Sequence, residues 1–371
     1  MLLMNSRSMR TFFLLVSILG FSMISCDDGG LQKVNDFDQG PFLKNVGNQI
    51  ILPAYKTLAE QNHLLAVAVG ALRDAPDATS LADAQVQLKL ARLAWQNCSA
   101  FQFGPAEDAG LLAELNIYPV DKNQIEQNIA DGSYDLSTLS NADARGYQAL
   151  AFLMYGDPEQ DVNILSTLTE PRLQYLETVV HRIDQASQTV YDAWKEDGGD
   201  YVSTFSSEAS LGVDLGSSVG KLVNSLNRDF ERNTRDGKIG IPVGIRSLGE
   251  TIPTASEAYF GGYSVELLKE NIAGYRNLFS GAEGVGFDDY LERIGAATTG
   301  NEDLALTISN QFDQLELAID QIEDPLPMAI STQKSDVEQV FVQMQILVSL
   351  FKVDMASSIG VIISYQDNDG D

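Results

Sequence analysis

Between Val337 and Ile362 the apolar residues fall at three- and four-residue steps: Val337, Val340, Phe341, Met344, Leu347, Val348, Phe351, Met355, Ile359 and Ile362. That period belongs to an α-helix and predicts about 30 residues with one apolar face. Leu173, Leu176, Val180, Ile183, Ser187, Val190 and Trp194 repeat it, as do Leu304, Ile308, Leu315, Ile319 and Ile322. Phe42 to Gly70 also reads helical, with Pro53 expected to kink it. The one hairpin-like turn signal is Asp236-Gly237 before Lys238 to Val243. An all-α fold follows. Long helices with short connectors pack as antiparallel bundles, and 371 residues supply two of them. The Gly/Ser/Asp-rich stretch from Gly198 to Ser218 is the expected boundary between helical-bundle halves at 40–198 and 215–365.

The first residues carry an address. Arg7 and Arg10 precede an apolar run from Thr11 to Phe21, too short for a stable span, and Ser25 stands before Cys26. This resembles a bacterial lipoprotein signal over residues 1–25, with Cys26 as the lipid-bearing N-terminus. Residues 26–39, opening Asp27-Asp28-Gly29-Gly30, read as a flexible acidic tether, and acids at this place resemble a surface-export signal of bacterial lipoproteins. The expected location is the bacterial cell envelope, at the outer membrane or cell surface.

Charge narrows the partners. With 24 basic and 52 acidic residues the chain carries −28, and removal of residues 1–25 takes two cations and no acid, leaving −30. Such a body repels a nucleic-acid backbone and an anionic membrane surface alike, so the anchoring has to come from lipid. Two Cys and two His cannot build a Cys/His zinc cluster or a disulfide framework. After lipidation Cys98 stands alone, so the fold rests on packing.

Four irregular stretches interrupt the helical pattern. The first runs Ala91-Arg92-Leu93-Ala94-Trp95-Gln96-Asn97-Cys98-Ser99-Ala100-Phe101-Gln102-Phe103-Gly104-Pro105, then Asn116-Ile117-Tyr118-Pro119-Val120-Asp121. The second is Arg145-Gly146-Tyr147-Gln148-Ala149-Leu150-Ala151-Phe152-Leu153-Met154-Tyr155-Gly156. The third is Asp236 to Pro242 followed by Pro253, Glu257, Ala258, Tyr259 and Ser264, and the fourth is the acidic end Asp367-Asn368-Asp369-Gly370-Asp371 at 366–371. In this order and spacing they resemble the imelysin-like family of bacterial envelope proteins, also described as iron-regulated protein A-like. The resemblance implies two bundle halves with a cleft between them, a link to iron uptake and a peptidase-like label.

The family's signature is Gly-x-His-x-x-Glu, whose His and Glu share one helical face and could share a metal. Here the matching residues are Gly146, Gln148 and Ala151, and Ser99 stands where a family carboxylate is expected. That set has little with which to hold a transition metal or activate water, so no catalytic residue and no metal site are expected. Gln148, Glu257, Ser99, Asp121 and Tyr118 remain candidates for a cleft that takes a small ligand, a metal or an envelope protein. Gln148 also reads as a buried amide bonded to backbone, and Glu257 as a helix-start carboxylate. Trp95, Phe101, Phe103 and Tyr118 read as core or as ligand platform. Gly104-Pro105 reads as a helix stop and restart.

No resident cofactor is expected; iron enters only through the family link and calcium only through Asp367, Asp369 and Asp371. Those three resemble the first half of a calcium loop whose bidentate Glu is missing. His63 and His181 stand isolated, and no phosphate loop or nucleophile elbow is present. The expected function is a lipid-anchored, non-catalytic binding or accessory module in nutrient or iron acquisition. The alternatives are a metallopeptidase using carboxylates such as Glu257 and Asp121, and a structural surface lipoprotein.

Overall fold

Asp38 opens the first helix, its carboxylate accepting the Gly40 amide at 3.0 Å. The computed structural model describes residues 37–365; the signal segment 1–25, Cys26 and the acidic tail 366–371 lie outside them. From 39 to 74 the chain is continuously helical (α1), and a π-helical stretch, Val46–Ile51, ends two residues before Pro53. A proline in a helix lacks its N–H and crowds the carbonyl four residues back. The widened turn lets the helix run on through the expected kink. The last three residues assigned to the tether are already held, since Phe37 stacks on Tyr290 at 3.9 Å, Asp38 caps the helix and Gln39 bonds the Tyr290 hydroxyl.

The other longer helices are α2 (Ala78–Gln96), α3 (Lys122–Asp131), α4 (Gly146–Tyr155), α5 (Glu170–Trp194), α6 (218–243), α7 (Ser264–Ser280), α8 (Phe287–Ile294), α9 (Leu304–Ile319) and α10 (Lys334–Ile359). Among the described residues the only β-type pairing is an isolated bridge between Ala297 and Asp303. The fold is all-α. Helices α1, α2, α4 and α5 pack on one another, while α6, α7, α9 and α10 form a second group with α8 against α9. Helix α10 is long and apolar enough to cross a membrane by composition, yet half of its most apolar window is buried inside the protein.

The described residues belong to one compact unit, and its main apolar core runs from Phe42 to Val361 through both groups. Helix α1 itself reaches across, because Phe42 packs on Phe287 and the Asn45 amide donates to the carbonyls of Gly281 and Val285. The stretch from Gly198 to Ser218 carries two short helical turns, Tyr201–Phe205 and Glu208–Ser210, and Phe205 is buried against Trp194.

Asp236-Gly237 is not a hairpin turn. It lies inside α6, whose middle, Asp229–Gly240, is π-helical and is again followed by a proline, Pro242. The widened segment buries Asp229, Glu231, Thr234, Arg235 and Lys238. Glu231 accepts from Lys352 of α10 at 3.0 Å, and Arg235 donates to Asp236 and to Gln345 of α10. Tertiary partners for these charges override the local preference of Asp-Gly for a turn.

Candidate functional site

Helices α2 and α7 touch where the two groups meet. At that junction α2 turns polar residues inward between Leu88, Ala91 and Trp95. Arg92 is fully buried, and its guanidinium donates to Gln148 Oε1 on α4 at 3.1 Å and to the Glu257 carbonyl. Gln148 in turn donates its amide to the Ser256 carbonyl at 3.3 Å. Its expected backbone bond is therefore present, together with an arginine partner that the sequence did not indicate.

Glu257 sits in the turn between Pro253–Ala255 and α7, 1% exposed, and not at a helix start. One carboxylate oxygen accepts from Gln96 at 3.0 Å and Asn116 at 2.8 Å, and the other accepts from the Lys238 ammonium. Burial alone would raise the carboxyl; Lys238 and Arg92 more than offset this and hold it below its ordinary value. Lys238 also donates to Gln96 Oε1 at 2.8 Å.

The network continues through α7. Asn271 donates to the Gln96 carbonyl at 3.0 Å and to Ser99 Oγ at 2.9 Å, and accepts from Thr234 at 2.8 Å. Tyr275 donates to Asp229 Oδ2 at 2.6 Å. Ser99 is thus a link between α2 and α7. The structure brings Gln148, Glu257 and Ser99 into one polar cluster. Tyr118 lies beside it, its hydroxyl 3.5 Å from the Asn233 carbonyl, and burial raises its phenol well above the usual range. Asp121 goes elsewhere: it caps α3 by accepting the Gln124 amide at 3.0 Å.

Beside the cluster opens a cavity of about 250 Å³ walled by Trp95, Ser99, Asn116, Tyr118, Asp229 and Lys238, among others. A second cavity of about 370 Å³ shares its walls at Leu112, Ile117, Asp229, Arg232 and Asn233. Trp95 serves both core and cavity, whereas Phe101 and Phe103 are buried in the core. Gly104 has φ +53 and precedes Pro105 at a helix start, as the stop-and-restart reading expects.

Residues 51–348 match the family model described as Imelysin. The chain belongs to the imelysin family. This imelysin-family protein is 23% identical over 297 residues to iron-regulated protein A of Synechococcus elongatus, with 78% of each chain covered. Two solved structures share its fold. One, from Parabacteroides distasonis, is named an iron-regulated protein A precursor; TM-score 0.72, identity 21%, covering 86% of this chain and 95% of that one. The other, an imelysin-like protein from Psychrobacter arcticum, has TM-score 0.67 and identity 17%, covering 88% and 97%.

Within this imelysin-family protein, the metal that a Gly-x-His-x-x-Glu helix could hold does not fit the residues present. Gln148 offers a neutral oxygen already bonded to a guanidinium, Ala151 is buried without a donor atom, and Glu257 is neutralised by Lys238. Among the described residues no three His, Cys, Asp or Glu side chains gather within reach of one ion. His63 and His181 are exposed, lying 3.4 Å from Asp184 and 3.9 Å from Glu177. Sequence reasoning passed over Arg92, Gln96, Asn116, Lys238 and Asn271. The available signal was a pair of polar residues, Arg92 and Gln96, four apart on the otherwise apolar face of α2.

Proposed function

We propose that this protein is a lipid-anchored, non-catalytic binding or accessory module of the bacterial cell envelope, working in nutrient or iron acquisition. The observation that carries the non-catalytic part is the pairing of Arg92 with Gln148 and of Lys238 with Glu257. Protein cations satisfy the acceptors at the place where a metal-activated water would have to sit. The cavities beside the cluster supply room for a ligand. The iron link is supported by the name of the Synechococcus relative, and the anchor by the spacing of Arg7, Arg10 and the apolar run before Cys26.

The test is titration calorimetry of the purified chain with Fe²⁺, Fe³⁺, Zn²⁺ and Cu²⁺, alongside incubation with an unfolded protein substrate. The expected result is no cleavage that a chelator abolishes and no one-to-one metal binding that is lost in Gln148→Ala. Micromolar binding dependent on Gln148, or chelator-sensitive proteolysis, overturns the reading in favour of a metallopeptidase.

A further inference from the structure

The protein is strongly acidic, and most of its described cations stand beside a carboxylate. Three of the exceptions lie on one helix. Lys221, Arg228 and Arg232 of α6 have no ion-pair partner among the described residues. Arg228 donates only to the Gln102 carbonyl at 3.0 Å, and Arg232 lies over the Tyr365 ring at 5.4 Å. The three lie toward one side of the helix, since neighbouring cavities share them as walls.

That face is the wall of the cavities beside the polar cluster. Arg232 borders both the 250 and the 370 Å³ spaces; Arg228 borders the larger one and, with Lys221, a third space continuing from it. Two unsatisfied polar atoms line the same spaces. Ser225 Oγ, on a residue 4% exposed, and Arg232 Nε are buried and have no hydrogen-bond partner among the described residues. Both atoms can donate, and both are open to a ligand in the same cavity. Neither carboxylate on these walls forms an ion pair with Arg228 or Arg232 among the described residues. Glu107 is exposed at the rim, and the Asp229 oxygens accept from Tyr275 and Asn233. The remaining wall is apolar, at Leu111, Leu112 and Ile117.

We propose that this groove binds a small organic anion carrying two or three carboxylates, held by Arg232 and Arg228 with Lys221 at its outer end. Guanidinium forks suit carboxylates, and a charged donor adds more than a neutral one. The contiguous cavities have the size of a small-molecule site, while the net charge of the whole protein opposes macromolecular polyanions. The inference rests on reading the cleft as a ligand site and names the ligand's class.

The test is titration calorimetry of the purified chain with citrate at low ionic strength. One-to-one binding is expected, weakening as NaCl is raised. Arg232→Gln should weaken it at least ten-fold while lowering the melting temperature of the unliganded protein only slightly, since no protein hydrogen bond is lost and only the contact over the Tyr365 ring goes. Arg232→Lys should fall between the two, and Lys269→Gln, which removes a cation paired with Asp320, should bind as the parent does. No citrate binding at millimolar concentration, or an Arg232→Gln affinity within two-fold of the parent, overturns the proposal. Chelator-sensitive proteolysis would sink the non-catalytic reading and leave this site standing. A silent citrate titration would do the reverse.

Discussion

Gly146 has φ +80, and a Cβ there would sit 2.7 Å from the Leu115 carbonyl oxygen. This glycine is therefore required by backbone shape, independently of any ligand-binding role of its neighbours. Gly146→Ala should cost about 2–4 kcal/mol, from the left-handed strain plus the displaced carbonyl, read by urea denaturation. Glu257 has the opposite character, because its environment is entirely side-chain chemistry. Glu257→Gln leaves Lys238 buried without a counter-charge, and about 3–5 kcal/mol should be lost. Its pH dependence has a definite sign. The native carboxyl lies below its ordinary value of 4.5, so its stabilisation is fully present above pH 4.5 and is lost as pH falls through the native value. The parent should lose stability in that acid range more steeply than Glu257→Gln; parallel acid-denaturation curves would contradict this.

The helices were legible because burial writes a 3.6-residue period. The segment read from Leu173 to Trp194 is α5, Glu170–Trp194, and the one read from Val337 to Ile362 ends at Ile359. Phe312 of α9 is fully buried, with the Phe279 and Phe351 rings each 5.9 Å away. Phe312→Ala should therefore cost about 3–5 kcal/mol, measured as a shift in denaturation midpoint at unchanged slope. Less legible were the π-helical segments before Pro53 and Pro242. Each proline signals a break, and each helix instead widens and continues. Packing on both sides fixes the helix axis, so the chain absorbs the missing donor by a local change of turn.

At the scale of the whole molecule, the net charge of −28 and the proposed lipid anchor would serve separate tasks in the body and at the N-terminus. The body is too acidic to adhere to an anionic leaflet, so membrane association should depend on Cys26 alone. Cys26→Ser should move the protein from the membrane to the soluble fraction of lysed cells; retention in the membrane pellet after a salt wash would refute the anchor. The same acidity makes the row at Lys221, Arg228 and Arg232, without ion-pair partners among the described residues, conspicuous, and that row becomes visible only in the folded chain.

The sequence by itself determined the all-helical class and the family, because each is written in local spacing or residue identity. Tertiary structure alone decided that Arg92 meets Gln148, 56 positions later, that Lys238 meets Glu257, and that both bundles share one core. Partner choice for a buried charge depends on which distant segments close around it, and no local period records that.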